Sequence, residues 1–203
     1  MEYLVTMTTH VPDGVGPAEV DALRAREAAH TRELAQQGRV LRLWRPPLRP
    51  GEWRTLGLFD ADGEPALEEV LASMPLHVWR SDAVTPLAPH PDDPGRGRVP
   101  RDPAALEFLT TFTVQVPAGT SGDARASAEA GEARRTAELA AAGSLVRLWR
   151  LPGDDRNLGH WQAADADRLA ADLGSLPMAA WLGIETLALA AHPSDPGATP
   201  SAS

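Results

Sequence analysis

An internal repeat constrains the fold of this chain more than any other feature. The tetrapeptide Arg-Leu-Trp-Arg occurs at residues 42–45 and again at residues 147–150. When residues 2–45 are paired with residues 107–150 without gaps, 19 of the 44 positions are identical. A repeat of this length is a whole small domain rather than one unit of a solenoid. The chain is therefore predicted to contain two diverged copies of one module.

The limits of the two copies follow from the same pairing. After a three-residue deletion the correspondence resumes at an offset of 102, and both copies close on a His-Pro dipeptide. The segments between and after the copies are rich in Pro, Gly and charged or small residues, which is typical of linkers and tails. The predicted division is 1–91 for the first module, 92–104 for a linker, 105–193 for the second module and 194–203 for a disordered tail.

Composition excludes several classes of protein. The net charge of −9 argues against a nucleic-acid or anionic-membrane partner. No apolar run approaches the roughly 18 residues that a membrane span needs, and the first ten residues do not look like a secretory leader, so a cytoplasmic protein is expected. Cysteine is absent, and lysine is absent too, because all 19 basic residues are arginine. Disulfides, thiolate nucleophiles and Schiff-base lysines are thereby excluded.

The pattern of each copy predicts the element order βαββαβ. In the first strand Tyr3, Val5 and Met7 alternate with more polar residues, which indicates a strand with one apolar face. Residues 17–37 are rich in Ala, Glu and Arg and are followed by Gly38, as expected of a helix and its end. This order is typical of a ferredoxin-like fold, with helices on one face of an antiparallel sheet. The other face needs cover, either from the second module or from another chain.

One carboxylate in each copy lies on the apolar stripe of the first helix. At 100° per residue, Glu27 shares its face with Leu34, and Glu132 shares its face with Leu139. Burial raises the pKa of such a carboxyl and a nearby arginine lowers it, so a carboxylate between these influences can act as a proton-transfer base. The alternative interpretation is a structural glutamate tied to Arg42 or to a backbone amide.

The repeated tetrapeptide supplies candidates for substrate binding. Arg42 and Trp44 project from one strand face, and Arg147 and Trp149 do the same in the second copy. An arginine can hold a substrate carboxylate through two hydrogen bonds, and a tryptophan can form the wall of a pocket. The alternative is an arginine–carboxylate surface pair beside an aromatic side chain packed between sheets.

Other polar residues carry weaker signals. Thr6, on the polar face of the first strand, and His30, on the first helix, are also predicted to contact the substrate. His90 and His192 lie near the module ends, each followed by Pro, and are interpreted as structural. Metal-binding spacing, a Gly-rich phosphate loop and a nucleophile elbow are all missing from the sequence. No metal and no cofactor are predicted.

Taken together, these segments resemble the muconolactone isomerase family. The resemblance rests on Tyr-Leu-Val-Thr-Met at the start, Leu-Arg-Ala-Arg-Glu on the helix, Leu-Trp-Arg, a later Phe-Asp and the closing His-Pro. It covers nearly all of residues 2–95 and, more weakly, residues 107–197. It implies an α+β fold in which two ferredoxin-like βαββαβ modules form a dimeric α+β barrel-type arrangement. A homo-oligomer of such chains is compatible with it.

The resemblance also implies an activity. It is the cofactor-independent isomerisation of muconolactone to the 3-oxoadipate enol-lactone, in bacterial degradation of aromatic compounds. On that basis Glu27 and Glu132 are the expected bases, Arg42 and Arg147 hold a carboxylate-bearing small molecule, and no macromolecular partner is needed.

Departures from the family pattern leave alternatives open. Arginine or alanine flanks Glu27 where the family usually has lysine, and the second copy departs further. Both an active and an inactive second copy are compatible with this. A tailoring enzyme of a natural-product pathway (a cyclase, isomerase or cofactor-free oxygenase) is the first alternative function. A non-catalytic binding module for small molecules is the second.

Overall fold

A computed structural model describes residues 1–197, and it divides the chain into two compact units. The first unit comprises Met1–Leu87 and the chain from Ala190 onward, and the second comprises Ala88–Leu189. The units therefore do not end where the predicted modules end. Residues 88–91 belong to the second unit, and residues 190–193 belong to the first.

The first unit has the predicted βαββαβ order. Its elements are β1 (Glu2–Thr9), α1 (Pro17–Gln36), β2 (Val40–Arg45), β3 (Arg54–Asp60), α2 (Glu64–Ser73), the 3₁₀ turn Pro75–Trp79 and β4 (Arg80–Pro89). The antiparallel strand order is β4-β1-β3-β2. Pro86 lies in β4, which is the outermost strand of this order. A residue without an N–H is tolerated there because no further strand of the unit needs that donor.

The second unit repeats the same order. Its elements are β5 (Leu106–Val114), α3 (Gly122–Ala141), β6 (Leu145–Arg150), β7 (Arg156–Ala163), α4 (Ala166–Gly174), the 3₁₀ turn Ala179–Trp181 and β8 (Leu182–Ala191). The antiparallel strand order is β8-β5-β7-β6. The predicted fold class, α+β with two ferredoxin-like modules of the dimeric α+β barrel type, is confirmed.

Two short strand pairings explain the boundaries of the units. The end of β8 pairs with β2, with Ala191 opposite Trp44. The end of β4 pairs with β6, with Ala88 opposite Arg150. The final residues of each module are thus hydrogen-bonded to the repeated tetrapeptide of the other copy.

Helices cover one face of each sheet, as the periodicity predicts. In the first unit the core side chains of β1 alternate strictly with half-exposed ones, and Leu34 of α1 and Leu67 of α2 pack on them. In the second unit Leu139 of α3 and Leu169 of α4 pack on the equivalent face. Burial of such a leucine contributes about 1.5–3 kcal/mol, so this face holds the helices in place.

The predicted linker and tail are partly built into the units. Gln162 accepts a hydrogen bond from the Asp102 N–H and donates one to the Pro100 carbonyl, which ties the linker to the second unit. Asp195, in the segment predicted to be disordered, is 5% exposed. Residues 198–203 of that predicted tail lie outside the described residues. Within residues 1–197, no helix is long and apolar enough to cross a membrane.

Candidate active site

A cavity of about 580 Å³ opens in the second unit, beside the helix that carries Glu132. Strands β5, β6 and β7 and the segment after α4 form its apolar wall, with Phe112, Leu145, Leu148, Trp161, Leu176, Met178 and Leu182. The entrance is polar and carries both signs of charge. A pocket of this size, with an apolar wall and convergent polar groups, suits a small organic ligand.

Glu132, on the half-buried face of α3, is one of the carboxylates that line this cavity. The Met178 N–H donates a hydrogen bond of 2.9 Å to its Oε2, whereas Oε1 accepts none from the described residues. Burial raises the pKa of Glu132, the Met178 hydrogen bond lowers it, and the charge of Asp92 raises it. One oxygen is thus fixed by the backbone while the other is available to a ligand, which is the arrangement a proton-transfer base requires.

Glu27 has the same backbone hydrogen bond but a different environment. The Leu76 N–H donates to its Oε2 at 2.8 Å, and Arg80 Nη1 lies 3.3 Å from its Oε1. Burial raises the pKa of Glu27 overall, although Leu76 and Arg80 both lower it. Both carboxylate oxygens are therefore engaged. The cation beside Glu27 is Arg80, whereas the sequence suggested Arg42 as its partner.

Arg80 is the residue that distinguishes the two copies. Its guanidinium is 2% exposed, and its Nη2 donates to Asp82 at 3.0 Å and to the Leu71 carbonyl at 3.3 Å. At an offset of 102 its counterpart is Leu182, which lines the cavity of the second unit. A guanidinium neutralises the carboxylate in the first copy, and an apolar side chain leaves it unpaired in the second.

A second difference lies at the helix end of each site. In the first unit the guanidinium of Arg24 stacks over the Trp53 ring at 4.2 Å. The equivalent positions in the second unit are Glu129 and Asp155, and both line the cavity. The cation–π contact is attractive, whereas in the second unit Arg125 pairs with Glu129 at 2.7 Å and its charge also interacts with that of Asp155. A direct side-chain contact therefore joins the helix and the loop in the first copy, whereas charged side chains line the cavity at this place in the second.

The arginines predicted to bind the substrate are occupied by aspartates. Arg42 Nη2 donates to Asp195 at 3.0 Å, and Arg147 Nη2 donates to Asp93 at 3.0 Å. Each Nε also contacts both oxygens of the same carboxylate. The next backbone N–H, that of Leu43 in the first unit, also binds the aspartate. These clasps match the alternative of an arginine–carboxylate pair, although the pairs are largely buried rather than on the surface, and both guanidinium groups are engaged by protein carboxylates.

Family comparison agrees with this duplicated architecture. The model of the family described as muconolactone delta-isomerase matches residues 1–93 and, separately, residues 106–195. The chain belongs to the muconolactone delta-isomerase family. The two matches fit a duplicated module.

Relatives in this family are one module long. A muconolactone delta-isomerase from Cupriavidus pinatubonensis is 34% identical over 91 residues, which are 45% of this chain and 96% of that protein. Muconolactone delta-isomerase 1 from Acinetobacter lwoffii is 31% identical over 91 residues, covering 45% of this chain and 92% of that protein. The present chain thus has about twice the length of these family members.

Two solved structures resemble the chain over nearly its whole length. A heme-binding protein from Thermus thermophilus covers 96% of this chain and 93% of its own, with a TM-score of 0.58 and 13% identity. A chlorite dismutase from Candidatus Nitrospira defluvii covers 95% of this chain and 92% of its own, with a TM-score of 0.57 and 12% identity. At such identities the similarity shows a shared fold alone.

Thr6, Arg42 and Trp44 do not converge on the glutamates. Val5 and Leu43 belong to the core beneath the helices. Strand alternation therefore places Thr6, Arg42 and Trp44 on the opposite sheet face, away from the α1 carboxylate. Trp44 is fully buried, and the Arg42 guanidinium stacks over its ring at 4.9 Å.

Trp149 of the second copy follows the same trend, whereas the charge of His30 acts on Glu27 and lowers the pKa of that carboxyl. Trp149 is 2% exposed and lies under the Arg147 guanidinium at 4.7 Å, on the sheet face opposite the cavity. His30 Nδ1 lies 3.1 Å from Glu33 Oε2, and its Nε2 lies 2.9 Å from Ser73 Oγ. Both ring nitrogens are thus occupied by neighbouring side chains.

Arg150 and His90 line the cavity although the sequence did not predict them as site residues. Arg150, the last residue of the second tetrapeptide, lines the cavity, and no ion-pair partner for it is found among residues 1–197. It lies two positions after Leu148 and so shares the helix-facing side of β6. His90, interpreted as structural, also lines the cavity. The alternation that pairs Arg147 with Trp149 contained the signal for Arg150.

The raised pKa of Glu132 predicts a pH dependence of stability. A carboxyl whose pKa in the folded state exceeds its ordinary value of 4.5 binds its proton more tightly when folded. Its contribution to the free energy of unfolding is complete below that ordinary value and is lost as pH rises through the raised pKa. Wild type should therefore lose stability relative to Glu132→Gln over this window, in urea denaturation at stepped pH. If the free energy of unfolding of wild type, relative to that of Glu132→Gln, stayed constant or rose with pH, the assignment would be contradicted.

Proposed function

We propose that this chain is a cofactor-independent isomerase that moves a proton within a small unsaturated lactone bearing a carboxylate, as in muconolactone to 3-oxoadipate enol-lactone. The observation that carries the proposal is the half-buried Glu132, with one oxygen held by the Met178 N–H and the other open to a cavity of about 580 Å³. Membership of the muconolactone delta-isomerase family supports it.

Glu132 performs the proton transfer in this proposal. Its Oε1 takes the proton from the γ carbon of the α,β-unsaturated lactone, and the electron pair spreads onto the lactone carbonyl oxygen. The protonated carboxyl then returns a proton to the α carbon, so the double bond moves and no atoms are gained or lost. Burial raises the pKa of Glu132, which makes it a stronger base than an exposed glutamate and a competent donor on the return step.

Arg150 holds the substrate carboxylate. Arg150 lines the cavity and lies on the same side of β6 as Leu148 of the apolar wall. Arg147 is engaged by Asp93, so Arg150 takes the role that the sequence suggested for Arg147. Two-pronged binding of a carboxylate would anchor the acidic arm of the lactone at the entrance and leave the ring beside Glu132.

The first unit has a supporting role. Arg80 neutralises Glu27, and the Arg24–Trp53 contact joins helix and loop. One active site per chain is therefore proposed, in the second unit. The duplication allows one copy to lose catalysis while its sheet and helices are retained.

Turnover of muconolactone and of its methyl ester, followed by ultraviolet absorbance, tests both the reaction and the substrate class. Wild type should isomerise the free acid, with a KM for the ester about tenfold to a hundredfold higher, because a hydrogen-bonded charged group is worth about 1.5–3 kcal/mol. Arg150→Gln should bring the two KM values together by raising that of the acid.

Arg45→Gln, the equivalent change in the first copy, is the matched control and should leave both KM values unchanged. Absence of isomerisation in the wild type with either compound and with related unsaturated lactones would refute the proposed function. An acid preference that survives in Arg150→Gln would refute the role of Arg150 alone.

A further inference from the structure

We propose that His90 is a second catalytic residue, which donates a hydrogen bond from Nε2–H to the lactone carbonyl oxygen as that oxygen gains negative charge. This inference rests on the proposed proton shift and adds to it the group that stabilises its intermediate. His90 lines the same cavity as Glu132. Glu132 acts as the base and Arg150 binds the substrate carboxylate, so neither residue supplies such a donor.

The tautomer of His90 follows from its backbone contact. The Asp92 N–H donates to His90 Nδ1 at 3.1 Å. A backbone amide can only donate, so Nδ1 must be the acceptor and a neutral ring carries its proton on Nε2. In the part of the chain that the structure describes, Nε2 makes no hydrogen bond, although the side chain is only 15% exposed. A largely buried donor without a protein acceptor beside a ligand cavity is available to a ligand.

The surroundings keep the imidazole neutral. Burial lowers the pKa of His90, and the Arg150 charge lowers it too, against the opposing effects of Asp92 and Asp93. A neutral donor suits this chemistry because an imidazolium would add a positive charge to the cavity and weaken Glu132 as a base. Fixed donors directed at an oxygen where charge develops stabilise the intermediate without reorganisation during the reaction.

The first unit contains a matched histidine. His192 Nδ1 accepts a hydrogen bond of 3.1 Å from the Ser194 N–H, and burial lowers the pKa of His192 to about 4. The local geometry is therefore the same as that of His90. The carboxylate of that unit, however, is paired with Arg80. His192 is thus a control that shares the local hydrogen-bond geometry of His90 but not its proposed role.

The test compares His90→Phe, His90→Gln and His192→Phe with wild type in muconolactone turnover. His90→Phe should lower kcat about 10²-fold with little change in KM, because the donor acts on the charge that develops during the reaction. His90→Gln, which keeps an N–H donor, should recover part of the rate, and His192→Phe should retain the wild-type kcat. Circular dichroism melts establish that each variant is folded, and ¹⁵N shifts of the His90 ring should report the Nε2–H tautomer.

The outcomes separate the two proposals. A His90→Phe variant as fast as wild type, in a protein whose activity is lost in Glu132→Gln, would overturn the role of His90 and leave the proposed function standing. An Nδ1–H tautomer, or equal losses in His90→Phe and His192→Phe, would also overturn it. A wild-type protein that isomerises no lactone would overturn both.

Discussion

Glu132→Gln is expected to lower kcat for lactone isomerisation by about 10³-fold, within the range of 10²–10⁴ typical of a positioned general base. The amide oxygen of glutamine can still accept the Met178 N–H, so the geometry of the site is retained. The amide cannot accept the substrate proton at the pH of the assay. The loss should therefore appear in kcat, measured by ultraviolet absorbance, with a small change in KM.

Glu27→Gln is the matched control for this result. Glu27 has the equivalent helix position and the equivalent backbone bond from Leu76, but Arg80 occupies its other oxygen. Its removal should leave kcat within about twofold of wild type, since no proton transfer is assigned to it. A loss confined to Glu27→Gln would place the active site in the first unit, and no loss in either variant would exclude both carboxylates as the base.

Asp195→Ala is expected to destabilise the protein by about 3–5 kcal/mol, as removal of one partner from a buried ion pair usually does. The Asp195 side chain is 0% exposed and that of Arg42 is 14% exposed. Alanine would leave this guanidinium buried without its carboxylate and would also remove the acceptor of the Leu43 N–H. Urea denaturation at neutral pH measures the loss as a lower midpoint of unfolding.

Ser194→Ala provides the control in the same turn. Its backbone N–H would keep the hydrogen bond to His192, so the free energy of unfolding should change by less than about 0.5 kcal/mol. Asp93→Ala removes the equivalent clasp of Arg147, where both side chains are slightly exposed, and a somewhat smaller loss is expected. A loss below about 1 kcal/mol for Asp195→Ala would show that the clasp contributes little to stability.

Local patterns predicted most of the fold because each element depends on its own periodicity. The alternation of the first strand corresponds to Glu2–Thr9, and the predicted helix over residues 17–37 corresponds to Pro17–Gln36. The same helical period correctly placed Glu27 and Glu132 on half-buried faces. Both features depend on neighbours within a few residues, where backbone geometry dictates which side chains share a face.

The repeat itself contains a signal for the aspartate clasps. His90-Pro91 and His192-Pro193 are equivalent in the two copies, and Asp93 and Asp195 follow them at matching positions. Two acidic residues shared by the copies, beside two shared arginines, suggest ion pairs. Which arginine each aspartate binds was not predictable, because the crossed pairing requires the strand ends to lie in the other unit.

The duplication, the order of helices and strands, the two inward carboxylates and the family follow from the amino-acid sequence alone, because each is written in periodicity or in residue identity. The partners of the charged groups were decided only in three dimensions. Arg42 meets a carboxylate 153 positions away, and Glu27 meets a guanidinium 53 positions away. Burial and charge pairing depend on such distant contacts. These contacts engage both carboxylate oxygens of Glu27 and leave one oxygen of Glu132 open to the cavity.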